Sequence, residues 1–117
     1  MDILKNIKFE KVTPSNEETI DLYRIPSTQG CVEIIKLTQK FYRPHIHNKA
    51  SAELHVLEGV GTIILNGKER NYKPGDIFEV RKGTSHGFKI KKETILLSIQ
   101  DKAILNKETG KIDLRYE

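Results

Sequence analysis

Apolar and polar residues alternate in short stretches along most of this chain. Because successive residues of a β-strand face opposite sides of a sheet, such alternation predicts strands with one buried face. Nowhere do apolar residues recur at helical spacing for two turns, so we expect an all-β structure with almost no helix. The predicted strands cover residues 7–12, 20–25, 31–37, 38–43, 52–58, 62–65, 69–72, 77–80, 86–91 and 94–100, with a short further strand near 111–115.

Turn-forming residues separate these stretches. Asn66-Gly67 lies between two alternating segments and is a dipeptide favoured in two-residue hairpin turns. Pro74-Gly75 places proline, which fixes φ, before glycine, which tolerates positive φ. Many short strands joined by such turns predict a sandwich or a barrel. Proline is expected to interrupt or end the strands beside it at Pro14, Pro26 and Pro44.

Length and composition are those of one ordinary globular domain. A chain of 117 residues buries roughly two-thirds of its unfolded surface, so we expect residues 1–117 to form a single domain. Cys31 is the single cysteine, which excludes an intramolecular disulfide and suits a reducing cytoplasm. The net charge is +4 with basic and acidic residues interleaved, and no apolar stretch approaches the roughly 20 residues of a membrane span. We therefore expect neither a nucleic-acid nor a membrane partner.

Three of the four histidines suggest a metal site. His45 and His47 are two positions apart, so on a strand their imidazoles face the same side. His86 follows a glycine-containing turn later in the chain. Three neutral imidazoles favour one divalent transition metal such as Fe, Ni, Zn, Mn or Cu, and they leave coordination positions open for a substrate.

Two sequence blocks around these histidines resemble the motifs of the cupin superfamily. The first, about residues 39–59, follows G-x5-H-x-H-x(3 or 4)-E-x6-G, with Gln39 in place of the first glycine and Gly59 at its end. The second, about 75–90, follows G-x5-P-x-G-x2-H-x3-N and is matched at Gly75, Gly83 and His86. The resemblance implies a double-stranded β-helix, or jelly roll, that binds a metal through His45, His47 and His86. Residues 101–117 would form a C-terminal tail.

The carboxylate of the first motif is out of register. Counting from His47 to Gly59 puts Ala52, rather than Glu53, at the position of the family's glutamate. On a regular strand Glu53 and His55 would face away from the histidines, although a bulge could turn Glu53 inward as a fourth ligand. Cupins with three histidines and no glutamate exist, among them thiol dioxygenases and some diketone-cleaving oxygenases, so the metal site does not depend on Glu53.

Strand alternation also predicts the lining of a substrate pocket. Phe41 and Arg43 are an even number of positions from His45 and His47, and Phe88 is two positions from His86. Residues of equal parity, in this sense, face the same side of a regular strand. Arg43 would then hold a substrate carboxylate through its guanidinium. The alternative is that Arg43 lies at the barrel mouth and pairs with a structural acid.

The resemblance implies an enzyme that acts on a small oxygen-rich carbon substrate. It would be a sugar or keto-acid isomerase or lyase, or a dioxygenase. No general base stands out, since Tyr42, Glu53 and His55 qualify only if the strand register differs. Two alternatives remain open: a non-catalytic small-molecule-binding module, and a cupin that has lost its metal. A homodimer is expected because an open jelly roll leaves strand edges that need cover.

Overall fold

A computed structural model of the chain describes residues 2–26, 30–106 and 108–116. In this part of the chain a short 3-10 helix, Asp2–Asn6, precedes a series of β-strands. The strands are β1 (Glu10–Ser15), β2 (Glu18–Pro26), β3 (Cys31–Leu37), β4 (Phe41–Ile46), β5 (Ala52–Glu58), β6 (Gly61–Leu65), β7 (Lys68–Tyr72), β8 (Ile77–Val80), β9 (His86–Ile90), β10 (Thr94–Gln100) and β11 (Arg115–Tyr116). The all-β prediction is confirmed.

The strands form two antiparallel sheets that pack face to face as a jelly roll. One sheet has the order β1-β2-β3-β10-β5-β8, and the other has the order β11-β4-β9-β6-β7. Side chains from the inner faces of both sheets build the core, because alternate positions of each strand are apolar and buried. Core members include Tyr42, Leu54, Val56, Ile63, Phe78, Val80, Phe88 and Leu96.

Strand bounds agree best where the alternation is regular and differ at the prolines. β3, β5, β8 and β10 have the predicted limits. β1 continues through Pro14, at an irregularity between Val12 and Ser15, and β4 continues through Pro44 to Ile46. The expected breaks at these two prolines are wrong, because a proline at a bulge or on an edge strand removes no ladder hydrogen bond. Near the predicted strand at 111–115, the tail has only an isolated bridge between Leu105 and Ile112 and the two-residue strand β11, which begins at Arg115.

Two glycine positions shape the sheet that carries β4. Asn66 and Gly67 both have positive φ, of 48° and 80°, as a two-residue hairpin turn requires. A Cβ on Gly87 would lie 2.7 Å from the Tyr42 carbonyl oxygen and 2.9 Å from the Pro44 nitrogen. Only a glycine therefore lets β9 approach the irregular part of β4, beside His86.

None of the helical structure in the described ranges is long and apolar enough to cross a membrane.

Candidate metal centre

A bulge in β4 brings His45 to the inner face of its sheet. Tyr42 pairs with Phe88 and His45 pairs with His86, so β4 contains one more residue than β9 between these two pairs. Because of the extra residue, Tyr42 and His45 both point inward, whereas an unbroken alternation would place them on opposite faces. Gly87, between Phe88 and His86, provides the space that this bulge needs.

The bulge also explains where the sequence prediction of the pocket is wrong. Phe41 is 50% exposed on the outer face, and Arg43 is exposed as well. Both lie outside the cavity that His45 and His47 line. The parity count treated residues 41–47 as one regular strand, and the extra residue reverses that parity between Tyr42 and His45.

The three predicted histidines come together as one buried cluster. The three rings form a compact triangle, in which the centroid of His45 lies 4.9 Å from that of His47 and 4.2 Å from that of His86. The centroids of His47 and His86 are 4.9 Å apart. One ring nitrogen from each residue lies within 4.8 Å of the others, a spacing that a single metal ion can bridge.

Backbone carbonyls fix the orientation of two of the rings. His47 Nδ1 is 2.5 Å from the Asp113 carbonyl oxygen, and His86 Nδ1 is 3.1 Å from the Thr84 carbonyl oxygen. A carbonyl can only accept, so each Nδ1 carries the proton and donates it. The Nε2 lone pair of each ring is then available, which is the usual arrangement of metal-binding histidines.

His45 has a buried nitrogen whose hydrogen-bonding capacity the described residues do not satisfy. The Arg43 backbone carbonyl lies close enough to raise the pKa of His45, but no partner of normal hydrogen-bond geometry meets Nδ1. Buried polar atoms without a partner are uncommon and call for an explanation. A metal ion bound through Nδ1 of His45 would provide one, and the three buried imidazoles are a donor set that fits a divalent transition metal.

Burial keeps the cluster uncharged at neutral pH. Removal from water, followed by the proximity of His86 and His47, lowers the pKa of His45 to about 2. Burial and the nearby His47 lower the pKa of His86 to about 4. Burial also lowers the pKa of His47, against the opposing effect of Asp113. All three imidazoles are therefore neutral, which is the form that binds a metal.

Asp113 ties the tail to the metal cluster, and sequence reasoning missed it. Its carboxylate accepts hydrogen bonds of 2.9 Å from the backbone amides of Asn48, Lys49 and Ala50. Although burial raises the pKa of Asp113, these amides lower it below its ordinary value. The same residue bonds to His47 through its carbonyl, across 66 positions of sequence. No local pattern in the sequence indicates a contact over that separation.

Comparison with known proteins identifies the family. A sequence profile described as the cupin domain matches residues 37–99, a little over half of the chain. The chain belongs to the cupin family. An uncharacterized protein of Aquifex aeolicus (strain VF5) is 26% identical over 114 residues, which cover 97% of this chain and 92% of that protein.

Solved structures have the same fold as this cupin. KdgF from Halomonas sp. is 18% identical with a TM-score of 0.71, and the match covers 90% of this chain and 93% of that one. A predicted oxalate decarboxylase of Thermotoga maritima is also 18% identical, with a TM-score of 0.70 and coverage of 83% and 94%. At these identities the likeness concerns the fold.

The position of the family glutamate is filled by alanine in this cupin. Ala52 faces inward and is 7% exposed, and β5 pairs with β8 without a bulge across residues 52–55. Glu53 lies on the outer face, where its Oε1 is 2.6 Å from His55 Nε2. β5 has no bulge beside Glu53, since its one irregularity lies further on, between Val56 and Glu58. Glu53 and His55 therefore form a surface pair away from the histidine cluster.

The cluster opens onto a cavity between the two sheets. This cavity has a volume of about 100 Å³, and Phe88 lies on its wall together with the three histidines. Glu33 also lines it, as a buried carboxylate whose Oε1 accepts a 2.6 Å hydrogen bond from Gln100 Nε2. Sequence reasoning missed Glu33, although its inward parity with Cys31 and Leu37 on β3 was a usable signal.

Arg43 takes part in a different cluster, on the outer side of β4. Its guanidinium carbon lies 4.2 Å from the centroid of the Tyr116 ring. Glu18 accepts hydrogen bonds of 2.6 Å from the Tyr116 hydroxyl and the Arg43 backbone amide. Burial and the bond to Glu18 raise the pKa of Tyr116 to about 12. The Arg43 side chain thus packs on the tail and does not line the cavity.

Proposed function

We propose that this cupin is a metal-dependent enzyme that acts on a small oxygen-bearing carbon substrate. The observation that carries the proposal is the cluster of three buried, neutral imidazoles at the wall of a largely apolar cavity. His45, His47 and His86 would hold one divalent ion, such as Fe, Ni, Zn, Mn or Cu. When bound, such an ion polarises or activates oxygen atoms beside it.

The protein's own residues would position and isolate the substrate. The carbonyls of Asp113 and Thr84 hold two imidazoles in one tautomer. All three imidazoles border the cavity in which a substrate would bind. The apolar walls would lower the local dielectric, which strengthens electrostatic interactions inside. Glu33 is the carboxyl group on that wall and is the candidate to exchange a proton with the substrate, as an isomerase or lyase would need. A dioxygenase would use the same ligands without that proton exchange.

The relatives of the same fold support a small-molecule enzyme. The Thermotoga protein is described as a predicted oxalate decarboxylase, and oxalate is a small acid whose oxygen atoms can bind a metal. The alternatives are a non-catalytic binding module and a metal-free cupin. The first would bind a ligand without changing it, and the second would purify without metal.

Metal content decides between the metal-dependent function and the metal-free alternative. We would measure bound metal by elemental analysis in the unmodified protein, in His47→Ala and in Glu53→Ala, each purified under metal-replete conditions. We expect about one ion per chain in the unmodified protein and in Glu53→Ala, and little in His47→Ala. An unmodified protein without metal would contradict the proposal and favour the metal-free alternative. Loss of metal in Glu53→Ala would show that Glu53 is a ligand.

We also propose that the protein forms a homodimer through the outer face of its larger sheet. Tyr23, Ile25, Ile77 and Ile99 are 41%, 50%, 57% and 43% exposed there; we call these four the outer patch. Strand register places Ile25 and Ile99 on either side of Val32, and it aligns Tyr23 with Ile77 across the sheet. Exposed apolar areas of this kind commonly mark interfaces, and a second copy offers a face of equal apolar character.

Sedimentation tests the homodimer. Ile99→Lys places a charge in the outer patch and should convert a dimer to a monomer at micromolar concentration. Phe41→Lys changes an equally exposed residue on the other sheet and should leave the dimer intact. A monomeric unmodified protein at high micromolar concentration would contradict the proposal.

A further inference from the structure

We propose that the substrate is amphiphilic, with its oxygen atoms confined to the end that meets the histidines and a short hydrocarbon body in the rest of the cavity. This inference rests on the proposed function and narrows it. It disfavours sugars and other polyhydroxylated compounds as substrates. The grounds are the chemistry of the cavity wall and the size of the space.

Away from the histidines, the wall offers few polar groups, and those groups already have protein partners. The Tyr42 hydroxyl accepts hydrogen bonds from the backbone amides of Thr38 and Gln39, at 2.9 and 3.0 Å. Gln100 Nε2 donates to Ser98 Oγ at 3.1 Å and to Glu33 at 2.6 Å. A row of substrate hydroxyls would therefore find no matching row of acceptors and donors along this wall.

The remaining wall is hydrocarbon. Five of its buried side chains come from both sheets: Leu37, Leu54, Val80, Phe88 and Leu96. A hydroxyl buried against such a surface without a partner loses its hydrogen bonds to water, which typically costs about tenfold or more in affinity. A methyl group at the same place gains from leaving water. The hydrocarbon part of the wall thus favours carbon over oxygen at the substrate positions that contact it.

The size of the cavity limits the hydrocarbon body to a few carbon atoms. Its volume is about 100 Å³, whereas a protein cavity of roughly 150 Å³ accommodates benzene. The substrate that fits is therefore a small acid, ketone or related oxygen compound with a short, branched or unsaturated carbon chain.

A matched pair of ligands tests this inference. We would load the protein with Co²⁺ and titrate it with α-hydroxyisovalerate and with threonate, following the cobalt absorption and the heat of binding. Both acids present the same α-hydroxy-carboxylate to the metal and have similar size, but their remaining carbons carry methyl groups in one and hydroxyls in the other. We expect α-hydroxyisovalerate to bind at least tenfold more tightly.

A variant of the wall ties the preference to the cavity. Val80→Thr replaces a methyl on the wall by a hydroxyl and should reduce the preference for α-hydroxyisovalerate severalfold. Val32→Thr makes the same change on β3, at a position outside the cavity lining, and should leave the preference unchanged. If Val80→Thr does not fold, the ligand pair on the unmodified protein still decides.

Three results would overturn the inference. Equal affinities, or tighter binding of threonate, would refute the amphiphilic substrate and leave the metal-dependent enzyme in place. A metal-loaded protein that responds to neither acid would also refute it. Absence of metal from the unmodified protein would refute the proposed function itself, and this inference with it. Metal content is measured before the titrations, so the two failures are distinguishable.

Discussion

Two groups of histidines in this protein show how burial decides what an imidazole can do. His45, His47 and His86 lie inside, where loss of hydration keeps them neutral and carbonyls orient two of the rings. His55 lies on the outer face of β5, where its Nε2 meets the exposed Glu53 carboxylate at 2.6 Å. The inner cluster presents lone pairs to a common point, whereas the outer pair is an exposed contact worth little. The residue type is the same, and strand geometry makes the difference.

Removal of an inner imidazole should have the largest effect. We expect His86→Ala to lower metal affinity by well over the 10–100-fold typical of residues that only support a ligand, because one of three donors is lost. His55→Ala should leave the affinity unchanged. Competition titration with a chelating dye measures both. Equal losses in the two variants would mean that the inner cluster is not the metal site.

Acid should destabilise the metal-free protein through the inner cluster. The pKa of His45 is about 2 in the folded state and about 6.5 in an unfolded chain, so the unfolded chain binds more protons as pH falls below 6.5. Stability is therefore lost with falling pH. From pH 7 to 5 the loss from His45 alone is about 2 kcal/mol. Urea unfolding in the presence of EDTA measures it. The loss should shrink in His45→Gln and persist in His55→Gln.

Loosening the tail should weaken the inner cluster to a smaller extent. Asp113→Asn keeps one acceptor oxygen but loses charge, so the loop at Asn48–Ala50 and the carbonyl that faces His47 are held less firmly. We expect about a tenfold loss of metal affinity and a changed Co²⁺ absorption spectrum. Asp76→Asn is the matched control, because Asp76 also accepts a backbone amide, from Lys73, in a distant turn. An unchanged cobalt spectrum in Asp113→Asn would contradict this role.

The smallest effect is expected at Arg43. Arg43→Ala removes the contact of the guanidinium with the Tyr116 ring, worth about 0.5–1 kcal/mol at an exposed site. We expect a slightly lower stability and unchanged metal affinity, because the side chain lies outside the cavity. Thermal unfolding and the dye titration would measure the two quantities. A large loss of ligand binding would instead return Arg43 to the substrate pocket.

Regular alternation is the reason that much of this fold could be predicted. β5 has the predicted limits, and Ala52 and Leu54 face inward as the parity count required, since one-residue slips would bury polar groups. The bulge in β4 could not be predicted in this way, because an extra residue leaves no mark on the pattern of apolar positions. Phe41 and Arg43 were misplaced for that reason.

The histidine ligands were predictable for a different reason than their supports. His45, His47 and His86 belong to motifs that are defined by sequence spacing, and a bulge in the strand does not change that spacing. Asp113 acts through its backbone carbonyl toward His47, and any residue type provides a carbonyl, so its identity carries no signal. Glu33 was predictable in principle from its parity on β3, but a carboxylate on an otherwise apolar face stands out only once that face is known to be buried.

The long sequence separation between His47 and Asp113 has a consequence for synthesis. A nascent chain that has emerged from the ribosome only through β10 already contains all three imidazoles but lacks residues 112–116, which carry the His47 carbonyl partner and part of the cavity wall. If the three imidazoles bind an ion as proposed, ion binding and the orientation of His47 would be separable in time during translation. Until residues 112–116 pair, His47 would lack its carbonyl partner.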